Sequence, residues 1–249
     1  MRMPLSHTLR SFLLAIAIAF LTTGAQAGAR MEKILARGVL VCGVAADDPG
    51  FSQRSADGVF TGLEADMCRA LAVAVLGSAQ QLRFVPLETV HDFLADVSVD
   101  IVFHRLSWAV TREAPGQLEF GPVYFFEAVN ESLEMLAPLL RSDDLDFSRV
   151  VRWSIYALIA AEEHGVNQRN VGQTEARNRW PLGETGQALG LHADWAYRMV
   201  SQVGNYGEIF ERNLGYGNAW AVPRGPNRLW RDGGLLLSPL LKEAPKIRP

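Results

Sequence analysis

Basic residues are in short supply. Lysine and arginine total 24 against 27 acidic residues, a formal net charge of −3 at pH 7. No basic excess is available to neutralise phosphates, so nucleic acid is excluded as a partner. Cysteine is scarcer still, with only Cys42 and Cys68. Beyond the N-terminal segment no apolar run is long and uninterrupted enough to cross a bilayer. The motifs of catalysis are missing too. No Gly-x-Ser-x-Gly elbow occurs, nor a Gly-x-x-x-x-Gly-Lys phosphate loop, and Gly215 and Gly217 lack the third glycine of a dinucleotide loop. The histidines (7, 91, 104, 164 and 192) are scattered, none four residues from another His or Cys, so no metal site is expected. Glu162 and Glu163 are adjacent on a helix and point about 100° apart, as a solvated helix end does. The expectation is a protein without a cofactor and without enzymatic activity.

What is present begins at the N-terminus. Arg2 and Arg10 flank the start of an apolar run, Phe12 to Leu21, and Ala25-Gln26-Ala27 follows with the small-x-small pattern of a cleavage site. This order predicts a signal peptide over residues 1–27 and a mature chain of 222 residues (249 less 27). The run is short of the roughly 20 residues of a membrane span, and no cysteine follows it to carry a lipid. In an exported chain, Cys42 and Cys68 most simply form one disulfide; two buried free thiols is the other reading. With 49% hydrophobic and 20% charged residues, the composition is that of an ordinary globular protein.

Periodicity then organises the first half. Residues 39–44 form a short apolar, β-branched run that reads as a buried strand. Asp47 to Gly50 and Asp57-Gly58 are turn chemistry. From Leu63 the apolar residues Met67, Ala70, Leu71, Ala74 and Val75 recur on one helical face, and Gly77 stops the helix. Residues 82–86 make a second strand, Thr89 caps a short helix to about Val97, and residues 99–103 make a third strand. Strand, helix, strand, helix, strand predicts a parallel α/β sheet. Past Tyr124 the rhythm ends. The reading there is a helical stretch around Leu133–Leu140, an acidic turn at 143–146 and a strong helix from Val150 to Glu163 with Gly165 behind it. Residues 166–190 read as surface loop. Helical blocks follow from about Ala193 to Val203 and on towards Asn213, and the Gly-, Pro- and Trp-rich tail reads as extended chain packed on a surface.

Several segments carry a resemblance. They are Gly38-Val39-Leu40-Val41-Cys42-Gly43-Val44, Thr61-Gly62-Leu63-Glu64-Ala65-Asp66-Met67-Cys68-Arg69-Ala70, and Val99-Asp100-Ile101-Val102 with Ser107-Trp108-Ala109-Val110-Thr111-Arg112-Glu113. Asp194-Trp195-Ala196-Tyr197 and the block from Gly204 to Asn213 add to them, as do Leu229-Trp230 and Gly233-Gly234-Leu235. Together they resemble the family 3 periplasmic solute-binding proteins, in particular the general L-amino-acid-binding branch that serves ABC importers. The resemblance implies a periplasmic protein with amino acids as ligands and the membrane subunits of an ABC permease as partners. It also implies site residues. Arg112 matches the arginine that forks onto the ligand's α-carboxylate, and Ser107 the hydroxyl that bonds the same group. A planar guanidinium offers two parallel donors and stays charged at any relevant pH. Phe51 matches an aromatic that stacks on the ligand. Arg105 stands beside the ligand where relatives carry a small polar residue.

The departures shape the expected architecture. Ala65 departs from the family's pattern of Gly, aromatic or aliphatic, acidic, aliphatic, acidic over residues 62–66, and Val97 replaces a glycine at a helix-to-strand turn. The chain passes from Tyr124-Phe125-Phe126-Glu127 almost directly to the segment that resembles the end of the second lobe, from Leu139 onward. The βαβ core of that lobe is missing, and with it the aspartate that holds the ligand's α-ammonium in relatives. The expected α/β fold is therefore one periplasmic-binding-protein-like lobe over residues 28–128, with a residual second-lobe and C-terminal helical segment over 129–249. A lobe kept as a non-transport interaction or scaffold protein is the alternative function. N-terminal sequencing of the protein recovered from the periplasm is expected to begin at Gly28; an uncleaved cytoplasmic product would refute the export reading.

Overall fold

The computed structural model describes residues 28–113, 117–180, 182 and 185–242. The expected signal peptide, residues 1–27, lies outside the described residues. The chain opens with helix α1 (Ala29–Arg37) and strand β1 (Leu40–Val44), whose five residues are all buried. A strand covered on both faces reads as an unbroken apolar run because neither face meets water. Its side chains alternate between two cores. Leu40, Cys42 and Val44 enter the larger cluster, while Val41 enters a smaller one with Phe93 and Val99.

Three short strands follow, β2 (Asp47–Asp48), β3 (Ser52–Arg54) and β4 (Phe60–Thr61), in a small antiparallel sheet. Gly62 then lets the chain turn hard into helix α2 (Leu63–Leu76). Its φ is 125°, and a Cβ there would stand 2.1 Å from the Phe51 carbonyl oxygen. After α2 come β5 (Leu82–Pro86), α3 (Val90–Ala95) and β6 (Ile101–Val102). The backbone N–H of Thr89 donates to the Asp92 carboxylate at 2.7 Å, half of the capping box that starts α3. Val97 needs no left-handed backbone, because only Arg105 and Asn130 among the described non-glycine residues have positive φ. β1 pairs in parallel with β5 on one side and β6 on the other, the parallel α/β core read from periodicity. The bridge between Cys42 and Cys68, with Cα atoms 6.1 Å apart, ties β1 to α2.

Beyond β6, helix α4 (Val110–Glu113) and strand β7 (Leu118–Phe120) lead to a hairpin of β8 (Phe125–Val129) and β9 (Ser132–Leu136). Two residues, Asn130 and Glu131, turn the chain; Asn130 takes φ 54°, which asparagine tolerates better than most residues. β10 (Leu139–Arg141) then enters the main sheet antiparallel between β6 and β7, completing the order β5-β1-β6-β10-β7. The helix expected around Leu133–Leu140 is thus two strands. Pro138 interrupts any helix there, and pairing with β8 and with the sheet decides the outcome over local pattern.

The C-terminal half covers the same core. Helix α5 (Leu145–Glu163) starts five residues before the expected Val150, because Asp144 caps it. Residues 166–190 are not surface loop. Short helices α6 (Thr174–Arg179) and α7 (Thr185–Ala188) lie there, and Val166, Val171, Ala176, Trp180 and Leu182 are buried. The few apolar residues of that polar stretch are its anchors: Tyr197 donates its hydroxyl to the Trp180 carbonyl at 2.8 Å and accepts from the Leu182 N–H. Pro181 lies outside the described residues. Helices α8 (Trp195–Gln202) and α9 (Tyr206–Leu214) then pack with α2 and α5, and buried side chains from both sides of residue 128 form one apolar cluster.

Asp144 is the joint between the two ends of the chain. One carboxylate oxygen accepts from the Asp146 and Phe147 N–H groups at the start of α5 (3.0 and 2.9 Å). The other accepts from Arg30 and Met31 at the start of α1 (2.8 and 3.0 Å). Gly28 is required beside it, since a Cβ would fall 1.9 Å from the carboxylate. One buried side chain therefore satisfies donors of two helix termini. Asp144→Ala is expected to lower the unfolding free energy by about 2–3 kcal/mol in urea titrations, since each cap is worth about 1 kcal/mol and buried N–H groups are left unpaired. A loss under about 0.5 kcal/mol, the size of an ordinary surface substitution, would contradict the double cap.

Candidate ligand-binding site

The residues expected to bind ligand lie past the carboxyl ends of β1 and β6, where the loops of a parallel sheet gather. Glu64, in the first turn of α2, sits fully buried beneath them. One carboxylate oxygen accepts from the Arg105 N–H at 2.6 Å and from the Tyr124 hydroxyl. The other, Oε2, has no partner. Burial outweighs these hydrogen bonds and pushes the carboxyl up to about 7; the same burial, together with the neighbouring Glu64 charge, raises the Tyr124 hydroxyl.

That carboxylate holds Arg105 in an unusual backbone conformation, with φ 43°. A non-glycine residue there costs roughly 1–2 kcal/mol. The guanidinium adds further restraint. It donates to Asp48 at 3.0 Å and to Glu127 of β8, and its carbon lies 4.5 Å from the centre of the Phe51 ring. Phe51 is buried, with its edge against Phe125 at 5.0 Å. Arg105 and Phe51 line a cavity of about 650 Å³, with Glu127 of β8 beside them and Trp220, Val222 and Pro226 of the C-terminal segment opposite.

Ser107 and Arg112 form a separate group that does not line this cavity. The Arg112 guanidinium, exposed on α4, donates to the Ser107 carbonyl at 2.6 Å. The Ser107 hydroxyl donates to Glu134 of β9. Of the four residues carried over by resemblance, the fold therefore joins Phe51 with Arg105 and Ser107 with Arg112. Five acidic or hydroxyl partners escaped the sequence reading: Asp48, Glu64, Tyr124, Glu127 and Glu134. A signal for two of them was available. Residues 125–129 and 132–136 flank Asn130-Glu131, whose asparagine is a turn residue, and a two-residue hairpin there sets Glu127 opposite Glu134. Among the described residues, no group of His, Cys, Asp and Glu could hold a metal ion, and no helix is long and apolar enough to cross a membrane.

No family model matches the chain. Curated relatives do. The glutamate/glutamine/aspartate/asparagine-binding protein BztA of Rhodobacter capsulatus is 26% identical over 331 aligned positions, which take in 92% of this chain and 98% of the relative. The general L-amino acid-binding periplasmic protein AapJ of Rhizobium johnstonii is 26% identical over 330 positions, covering 90% and 97%. The putative amino-acid ABC transporter-binding protein YhdW of Escherichia coli K12 is also 26% identical, covering 92% and 96%. This chain is a relative of the amino-acid ABC transporter-binding proteins. At least 82 of the 331 positions aligned with BztA have no residue of this 249-residue chain opposite them (331 less 249), as an abbreviated relative requires. A solved structure, an ABC transporter periplasmic binding protein from Brucella ovis with glutathione bound, has the same fold. It superposes with a TM-score of 0.78 at 23% identity, over 85% of this chain and 99% of that one. The periplasmic-binding-protein fold expected from the sequence is the fold of the protein.

The buried Glu64 makes stability depend on pH. Its folded pKa lies above the ordinary 4.5, so the folded state holds the proton more tightly. The contribution is fully present below about pH 4.5 and is lost as pH rises through about 7, a change of about 3 kcal/mol. Glu64→Gln keeps an oxygen for Arg105 and Tyr124 but carries no charge. It is expected to match wild type at pH 5 and to exceed it in melting temperature at pH 8.5. Equal pH profiles for the two proteins would rule out a raised Glu64 pKa.

Proposed function

We propose that this protein is the periplasmic solute-binding component of an ABC importer for amino-acid-type solutes, and that it takes the α-carboxylate on Arg112 and Ser107. Kinship with amino-acid ABC transporter-binding proteins along nine-tenths of the chain supports the role. The observation that carries the carboxylate reading is the state of Arg112. Its guanidinium directs one donor to the Ser107 carbonyl and has no carboxylate partner among the described residues, so a fork remains open to an anion. The cavity beside Phe51 and Arg105 offers an apolar, partly aromatic wall within reach of the same loop. Membrane subunits of a permease are the partners this role entails.

The expected affinity is modest. A two-lobed clamp buries most of a small ligand, whereas a single lobe leaves one face of it wet. Calorimetry or NMR titration of the mature protein with a panel of L-amino acids is expected to give millimolar dissociation constants, and Arg112→Ala to abolish the binding. Glutathione belongs in the panel because the Brucella ovis protein carries it and its γ-glutamyl end is itself an α-amino acid. Unchanged binding in Arg112→Ala would remove the carboxylate assignment.

A further inference from the structure

Glu127 and Glu134 face one another across β8 and β9. Both side chains rise from the same face of the hairpin, and like charges directly opposite are destabilising. The charge of Glu127 is answered by Arg105. That of Glu134 is not: its hydrogen-bond donor is the Ser107 hydroxyl, and no cationic nitrogen lies within 4 Å among the described residues. Arg112 mirrors this situation on the other side of the same serine, anchored on the Ser107 carbonyl and without a carboxylate. One residue thus carries an uncompensated carboxylate on its hydroxyl and an uncompensated guanidinium on its carbonyl. The two charges do not pair with each other.

We infer that Glu134 is the counter-charge for the α-ammonium of the ligand, so that the hairpin supplies one half of a zwitterion site and Arg112 the other. This rests on reading Arg112 as the carboxylate site. The geometry separates it from a simpler idea, that Glu134 plugs the site as a stand-in for the ligand's own carboxylate. A plug would sit on the guanidinium fork, where a carboxylate gains two charge-assisted hydrogen bonds. Glu134 sits on the serine alone and leaves the fork open. A bound ammonium would also relieve the repulsion between Glu134 and Glu127, a gain that a ligand lacking the amine cannot make. The selectivity therefore lies in the amine, not only in the carboxylate.

The test compares each amino acid with its des-amino analogue by NMR titration: L-glutamine with glutaramate, and L-alanine with propionate. Wild type, Glu134→Gln and Arg112→Ala are used, with the amide spectrum reporting that the hairpin is intact. The side-chain amide oxygen that Glu134→Gln introduces still accepts from the Ser107 hydroxyl, so the variant removes charge and little else. Wild type is expected to prefer the amino acids by about tenfold or more, and Glu134→Gln to bind each pair equally. Analogues that bind wild type as tightly as the amino acids would overturn the ammonium role while leaving the carboxylate reading in place. Tighter amino-acid binding by Glu134→Gln would overturn it in favour of a plug. Undiminished binding by Arg112→Ala would fell the carboxylate reading itself, and no response from wild type to any of the four probes would fell both.

Discussion

The buried carboxylate of Glu64 is the interaction on which the site depends. It is placed by the first turn of α2 and cannot stay solvated there, so it must find donors inside the protein. It takes one from the backbone of Arg105 and one from Tyr124. The first bond holds Arg105 in the left-handed region and aims its guanidinium at Asp48, Glu127 and the face of Phe51. The second fixes the residue that leads into β8, and the Tyr124 carbonyl in turn accepts from the Tyr206 hydroxyl of α9 at 2.8 Å. A single desolvated acid thus positions the loop after β6, the entry to the hairpin and a C-terminal helix relative to one another.

The hairpin of β8 and β9 is the second organising feature. An exposed pair of strands presents unpaired backbone groups on its edges and is marginal by itself. Both edges here are covered. Asn227 both donates to and accepts from the backbone of Phe126, at 2.9 and 2.7 Å, and so stands in for a neighbouring strand. On the other side the Trp108 N–H donates to the Met135 carbonyl at 2.8 Å. With its edges satisfied and Phe125 and Leu136 buried at its base, the hairpin is held rigidly enough to carry charged side chains at defined positions. Its outer face keeps Leu133 and Met135 exposed.

Much of this fold was legible from residues alone. The run of buried residues in β1, the helical spacing from Leu63 and the Thr89 cap each announce an element through local chemistry, and the parallel sheet follows from their alternation. The misreadings share a cause. Residues 133–140 have enough leucine to suggest a helix, yet Pro138 and the pairing partners on β8, β6 and β7 make them strands. Residues 166–190 look polar because their few apolar side chains are widely spaced, and only the neighbouring helices show that Trp180 and Leu182 have somewhere to go.

The sequence by itself determined the parallel sheet with its helices and the kinship with amino-acid-binding proteins, because periodicity and motifs act over a few residues at a time. The two cysteines and the acidic residues were also visible there, and a disulfide was the simplest reading of the pair. Tertiary structure alone decided between that bridge and two free thiols. It alone decided that Asp144 caps two helices far apart in sequence, and that Arg105 and Phe51 part company from Ser107 and Arg112. It set Glu127 on Arg105 and left Glu134 on a serine. Pairings of that kind depend on which loops the sheet brings together and on which charges burial obliges to find a partner, and no local pattern encodes either.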